Sequence, residues 1–261
     1  MKTKIIVALS MLAFLFSNCA SLELPKFAAS TEDGITYEYE GIVPLTNFVR
    51  IRPITPSDQL TGEVTIPSTV SYEGTTYVVS QIAAQAFANY DGITKIVLPP
   101  TVSTIEAEAF RGCTMLSQIN TPQPLSTIGD YAFEGCSSLA AFSFVASIST
   151  LGQCCFANCS SLGDISLPTS LNTIPYRAFY GCSNVSTIFI DATVNSIGAE
   201  AFAGCRSVIQ ITCKAGMPPT ASANTFDLID AEIPVTVPMG GLNYYATAIG
   251  WNHFVNFQGV Y

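Results

Sequence analysis

The sequence predicts an α/β solenoid built of 23-residue coils, each holding one short strand and one short helical turn. Two observations carry this. Phe87, Phe110, Phe133, Phe156, Phe179 and Phe202 recur every 23 residues with no insertion between them. Two apolar periods then alternate inside each interval. Fixed self-similarity of this length marks stacked repeats, in which no single coil can bury its own apolar stripe.

The helical part is expected from spacing. Ile128, Ala132 and Cys136 stand at i, i+4 and i+8, as do their counterparts in the other coils, and that spacing is one face of a short helix. Thr104, Thr127, Thr150, Thr173 and Ser196 sit just before it, where a hydroxyl can cap the first turn. The strand part alternates, as in Leu162, Ile165 and Leu167 with Asp164 and Ser166 between them. Pro99, Pro122 and Pro168 close several strands, because proline has no N–H to give a ladder. Cys113, Cys136, Cys159, Cys182 and Cys205 follow the phenylalanines by three residues and read as a buried column of reduced thiols.

The ends depart from the period. Lys2 and Lys4 precede an apolar run from Ile5 to Phe16, about 12 residues, where a membrane span needs about 20. Residues 1–19 therefore read as a secretory signal peptide, and Cys19 is a candidate lipidation residue in the manner of a bacterial lipoprotein. Asn18 departs from the small residue that such sites favour, and ordinary cleavage near Ala20 or Ser21 is the alternative. Residues 20–62 read as an N-terminal β cap, 63–238 as the solenoid and 239–261 as a C-terminal cap with a short helical segment from Tyr244 to Trp251.

Composition narrows the function class. Of 261 residues, 10 are Lys or Arg and 19 are Asp or Glu, a net charge of −9. Nucleic-acid binding needs a basic face to neutralise phosphates, so that class is excluded, as is polybasic docking on anionic lipid. No Walker glycine loop or GxSxG elbow is present. His253 is the single histidine, far in sequence from the Cys154-Cys155 pair, so no Cys–His couple is expected. No CxxC pair suggests a metal. Catalytic, cofactor and metal residues are accordingly expected to be none.

The string Ala132-Phe133-Glu134-Gly135-Cys136-Ser137-Ser138-Leu139, with strands of the form Ile165-Ser166-Leu167-Pro168, resembles the BspA-like leucine-rich repeats of bacterial surface proteins. The resemblance covers about Glu63 to Pro238. It implies a right-handed leucine-rich-repeat coil, no catalytic residues, and adhesion to host matrix proteins or other microbes.

The outward strand positions form the candidate binding face: Lys95, Gln118, Asn120, Asp164, Thr187, Phe189, Gln210 and Thr212, with Val97, Ala141, Ser143 and Ser166 between them. The face is small, mostly uncharged and suited to lying flat on a protein or glycan. The expected function is that of a non-enzymatic exported surface protein that binds an extracellular protein or glycan there, touching membrane only through a lipid anchor. The alternative is a lipid-anchored scaffold of the cell envelope.

Overall fold

The computed structural model describes residues 26–30, 35–41, 48–53 and 60–261. The signal peptide and Cys19 lie outside the described residues. The N-terminal part holds β1 (Lys26–Ser30), β2 (Thr36–Gly41), β3 (Phe48–Pro53), β4 (Gly62–Thr65), β5 (Thr69–Tyr72) and β6 (Thr75–Ile82). The middle holds β7 (Ile93–Val97), β8 (Thr104–Ile105), β9 (Gln118–Ile119), β10 (Thr127–Ile128) and β11 (Thr150–Leu151). The remainder holds β12 (Ile165–Ser166), β13 (Thr173–Ile174), β14 (Thr187–Ile190), β15 (Ser196–Ile197), β16 (Gln210–Cys213), β17 (Val235–Pro238) and β18 (Phe257–Val260).

A β-solenoid results, and most coils supply two short strands. One set stacks in parallel as β6-β8-β10-β11 and, separately, β13-β15. The other stacks as β4-β7-β9 and, separately, β12-β14-β16-β17-β18. The threonines expected as helix caps lie in the first set, with Thr127 in register with both Thr104 and Thr150.

The expected helical turn is absent, and the backbone explains why. Between Glu106 and Cys113 the N–H groups of Ala109, Arg111 and Cys113 donate to the carbonyl three residues back, at 3.4, 3.1 and 3.2 Å. Those of Glu108, Phe110 and Gly112 donate instead to Asp130, Ala132 and Glu134 of the next coil, at 2.8, 2.8 and 2.7 Å. Glu108 and Gly112 have φ of 57° and 72°, and their counterparts Tyr131 and Gly135 have 58° and 75°. An α-helix needs negative φ throughout and bonds four residues back. Stacking diverts every second N–H to the neighbouring coil, so the segment is a pair of turns. Ile128, Ala132 and Cys136 are still fully buried. The spacing marked the buried residues without marking a helix.

The aromatic column runs the length of the core. Rings from Phe87 through Phe110, Phe133, Phe156, Phe179 and Phe202 to Phe226 stack at 5.2–5.8 Å, tilted by 3–10°. Each thiol of the five-cysteine column donates to a phenylalanine carbonyl one coil back, as Cys113 to Phe87 at 3.0 Å, and Cys136 to Phe110 and Cys159 to Phe133 at 3.1 Å. A thiol is therefore both a small apolar filler and a weak donor at this position.

Both ends are covered. At the N-terminal end β1, β2 and β3 pair antiparallel, and β3 joins β6 in parallel. Arg50 ties this sheet to the coils, with Glu40 at 2.8 Å and Glu106 at 3.2 Å. At the other end Trp251 packs tilted against Phe226 at 5.0 Å and its indole N–H donates to the Pro219 carbonyl at 2.9 Å. The helical segment there is shorter than expected. Only α1 (Leu242–Tyr245) is α-helical, and Gly250, at φ 80°, separates it from a single 3-10 turn at Trp251–His253.

Candidate binding face

The sequence-predicted face maps onto the outward side of the second strand set. Pairing places its residues in two columns. Lys95 lies beside Gln118, Thr187 beside Gln210, Ser166 beside Phe189, and Phe189 beside Thr212. The face is broken once. Ala140–Val145 forms no strand, so Ala141 and Ser143 leave a shallow depression of about 330 Å³ beside Lys95, Gln118 and Asn120. One patch therefore holds Lys95, Gln118 and Asn120, and a second holds Asp164, Thr187, Phe189, Gln210 and Thr212.

Several of these side chains are tied into the fold. The Asn120 amide accepts the Leu98 N–H at 2.6 Å and donates to the Leu98 carbonyl at 2.8 Å, so it acts as a piece of strand. Asp164 accepts the Ser186 hydroxyl and the Thr187 N–H, at 2.5 and 3.0 Å. The Ser186 bond, followed by those of Thr187, holds the Asp164 carboxyl below its ordinary range. Lys95 pairs with Glu63 at 3.3 Å. Phe189 is half-buried rather than fully outward, and the Lys214 ammonium sits 4.9 Å over its ring. Gln118 and Gln210 are exposed polar side chains of the face. Thr187 and Thr212 are half-buried between them.

A second surface was not anticipated. On the turn side Arg111 meets Glu134 at 2.7 Å and lies 5.7 Å from the Tyr131 ring. Arg177 holds Glu200 and sits 5.0 and 4.8 Å from the rings of Tyr176 and Tyr180. These residues occupy fixed steps around each phenylalanine, a signal the period contains. Their charges are spent on one another.

The nucleophile candidates are placed for packing. Cys154 is only 5 % exposed. Burial raises its thiol, opposed by a hydrogen bond from Tyr131. Burial likewise pushes Cys113 and Cys205 up to about 12. A thiol held protonated is a poor nucleophile. The His253 ring is bonded to the Ile229 carbonyl at 2.8 Å. Among the described residues no group of three or more His, Cys, Asp and Glu side chains is placed to hold a metal.

Residues 80–209 match the family described as BspA type leucine rich repeat region, in six copies. Among solved structures, the leucine-rich repeat protein of T. pallidum is 26 % identical, with 71 % of this chain and 90 % of that chain covered and a TM-score of 0.53. The pneumococcal vaccine antigen PcpA is 17 % identical, with 82 % of this chain and 65 % of that chain covered and a TM-score of 0.60, a likeness of fold alone. No curated protein matches the chain.

Proposed function

We propose, from the premise that residues 80–209 of this chain belong to the BspA-type leucine-rich repeat family, that it is a non-enzymatic surface protein whose strand face binds an extracellular protein or glycan. The observation that carries this reading is the second patch. Thr187 stands in register with Gln210 and Phe189 with Thr212, on a sheet whose side chains are short and sparsely charged, and Asp164 is bonded to the Thr187 N–H at its edge. Such a face presents hydroxyls and amides on a rigid support, so a ligand pays little ordering entropy in the protein. Phe189, with Lys214 across its ring, supplies the apolar anchor beside them. Export rests on the apolar leader, and attachment through Cys19 is the alternative reading, in which the repeats serve as an anchored scaffold.

Substitution tests the face. Against a ligand that the folded protein binds, Gln210→Arg and Thr187→Arg are each expected to weaken affinity about tenfold or more, a loss of about 1.4 kcal/mol. Circular dichroism should be unchanged, because both side chains point away from the core. Tyr180→Ala on the turn side should leave affinity unchanged. If Tyr180→Ala abolishes binding while both strand-face variants bind normally, the site is on the turn side and the proposal fails.

A further inference from the structure

The strand skeleton is divided in the middle of the solenoid, and no described ladder crosses the division. Strands β1 to β11 pair only among themselves, and strands β12 to β18 pair only among themselves. The boundary falls inside one coil. Its first strand, β11, belongs to the N-terminal set through β10, while its second strand, β12, belongs to the C-terminal set through β14.

Two departures from the repeat cause this. The first is Pro175. At the equivalent position the N–H of Glu106, Gly129, Gly152 and Gly198 donates to the carbonyl of the residue one coil back, at 3.0, 2.8, 2.8 and 2.7 Å. Proline has no N–H, so the bond to the Leu151 carbonyl cannot form. The second is the pair Phe142 and Phe144, which replace the aliphatic residues of that strand. Phe142 turns onto Phe156 at 4.8 Å, and Phe144 onto Phe156 at 5.4 Å and Phe179 at 5.9 Å. The chain from Ala140 to Val145 leaves the ladder as they do so. Across the boundary remain the turn-side bonds, Cys154 to Tyr176 at 2.9 Å, Phe156 to Ala178 at 2.9 Å and Asn158 to Tyr180 at 2.6 Å, the Gly163 bond to Ala140 at 3.0 Å, the Ser170 hydroxyl on the Ile148 carbonyl and the Cys182 thiol on the Phe156 carbonyl, with the aromatic column itself.

From this we infer that the solenoid is two cooperative units, residues 26–151 and 165–260, hinged on the turn 152–164. In a solenoid, stability is a sum of coil terms and nearest-neighbour interface terms, so one weak interface divides the array. The two patches of the strand face then sit on different units, Gln118 on the first and Gln210 on the second. The division needs no ligand and stands or falls apart from the binding proposal.

Trp251 makes the test direct, because it is the only tryptophan and lies fully buried in the second unit. Urea unfolding of the full chain is followed by Trp251 fluorescence and by far-UV circular dichroism. Phe133→Ala perturbs the first unit alone. The expected result is an early loss of part of the dichroism, with the Trp251 midpoint moved by less than roughly 0.2 M urea. In a Pro175→Gly background, which restores the N–H, the same Phe133→Ala change is expected to lower the Trp251 midpoint together with the dichroism. A Trp251 midpoint that falls as far as the dichroism in the Pro175 protein would overturn the inference, and so would a Pro175→Gly background that changes nothing. Gly129→Ala serves as a milder first-unit perturbation with the same two readings.

Discussion

Phe133→Ala is expected to destabilise the solenoid by about 3–5 kcal/mol, as truncation of a large buried ring does. Its ring is fully buried between Phe110 at 5.3 Å and Phe156 at 5.2 Å, with the edge of Phe142 at 5.5 Å. Truncation removes apolar burial and leaves a cavity that the neighbours cannot close. The coil spacing is fixed outside the cavity by parallel pairing of β10 with β8 and β11 and by the turn-side bonds of Tyr131, Phe133 and Gly135. A typical domain has a net stability of about 5–15 kcal/mol, so this loss is a large share of the total. Urea denaturation reads it as a fall in midpoint at constant slope for the affected transition. A loss under about 1 kcal/mol would mean that the column is not the support described here.

Gly129→Ala is the second large effect, of about 1–3 kcal/mol or more, and it arises from crowding rather than a void. A Cβ at Gly129 would lie 2.6 Å from the Ala107 nitrogen and 2.7 Å from the Glu106 carbonyl carbon. Both are backbone atoms of the adjacent coil, so no rotamer change relieves the contact. Gly163→Ala is the control, since its Cβ would meet nothing nearer than the Ala140 carbonyl oxygen at 3.4 Å. That substitution is expected to be neutral or to stabilise by about 0.4–1 kcal/mol through the unfolded chain. The thermal midpoint should therefore fall for Gly129→Ala and hold or rise for Gly163→Ala. Equal shifts would remove the argument that glycine is required there by close approach of two coils.

The period of 23 made the coil boundaries, the phenylalanine column and the buried cysteines legible from sequence. Ile128, Ala132 and Cys136 are fully buried, as their spacing requires. Their spacing also matched a helix, and the match misled because Tyr131 and Gly135 adopt positive φ. Glycine is an ordinary signal for that conformation, but tyrosine is not. The turn is set by the neighbouring coil, whose carbonyls take alternate N–H groups, and a single coil carries no trace of this. The threonines failed as caps for the same reason, since without a helix they have no free first-turn donors to satisfy.

The binding face was legible as a set of positions and only partly as chemistry. Gln118 and Gln210 are exposed as the alternation requires. Asn120 and Asp164 occupy the same columns, but their polar atoms close gaps in backbone bonding. Asn and Asp commonly bond to nearby backbone, which is the signal that would have set them apart. Pro175, Phe142 and Phe144 were visible as departures from the repeat. Their consequence, a divided strand skeleton, emerges only when each missing bond is matched to its equivalent in the other coils.

Binding of a macromolecule outside the cell, as proposed above, is tested by exposing the purified protein to an array of extracellular-matrix proteins and glycans, with Phe156→Asp as the unfolded control. Phe156 is fully buried in the column, and an unpaired carboxylate there cannot be accommodated. The folded protein is expected to bind at least one class of ligand saturably, and the variant none. Equal binding by both, or none by the folded protein at micromolar concentration, would contradict it.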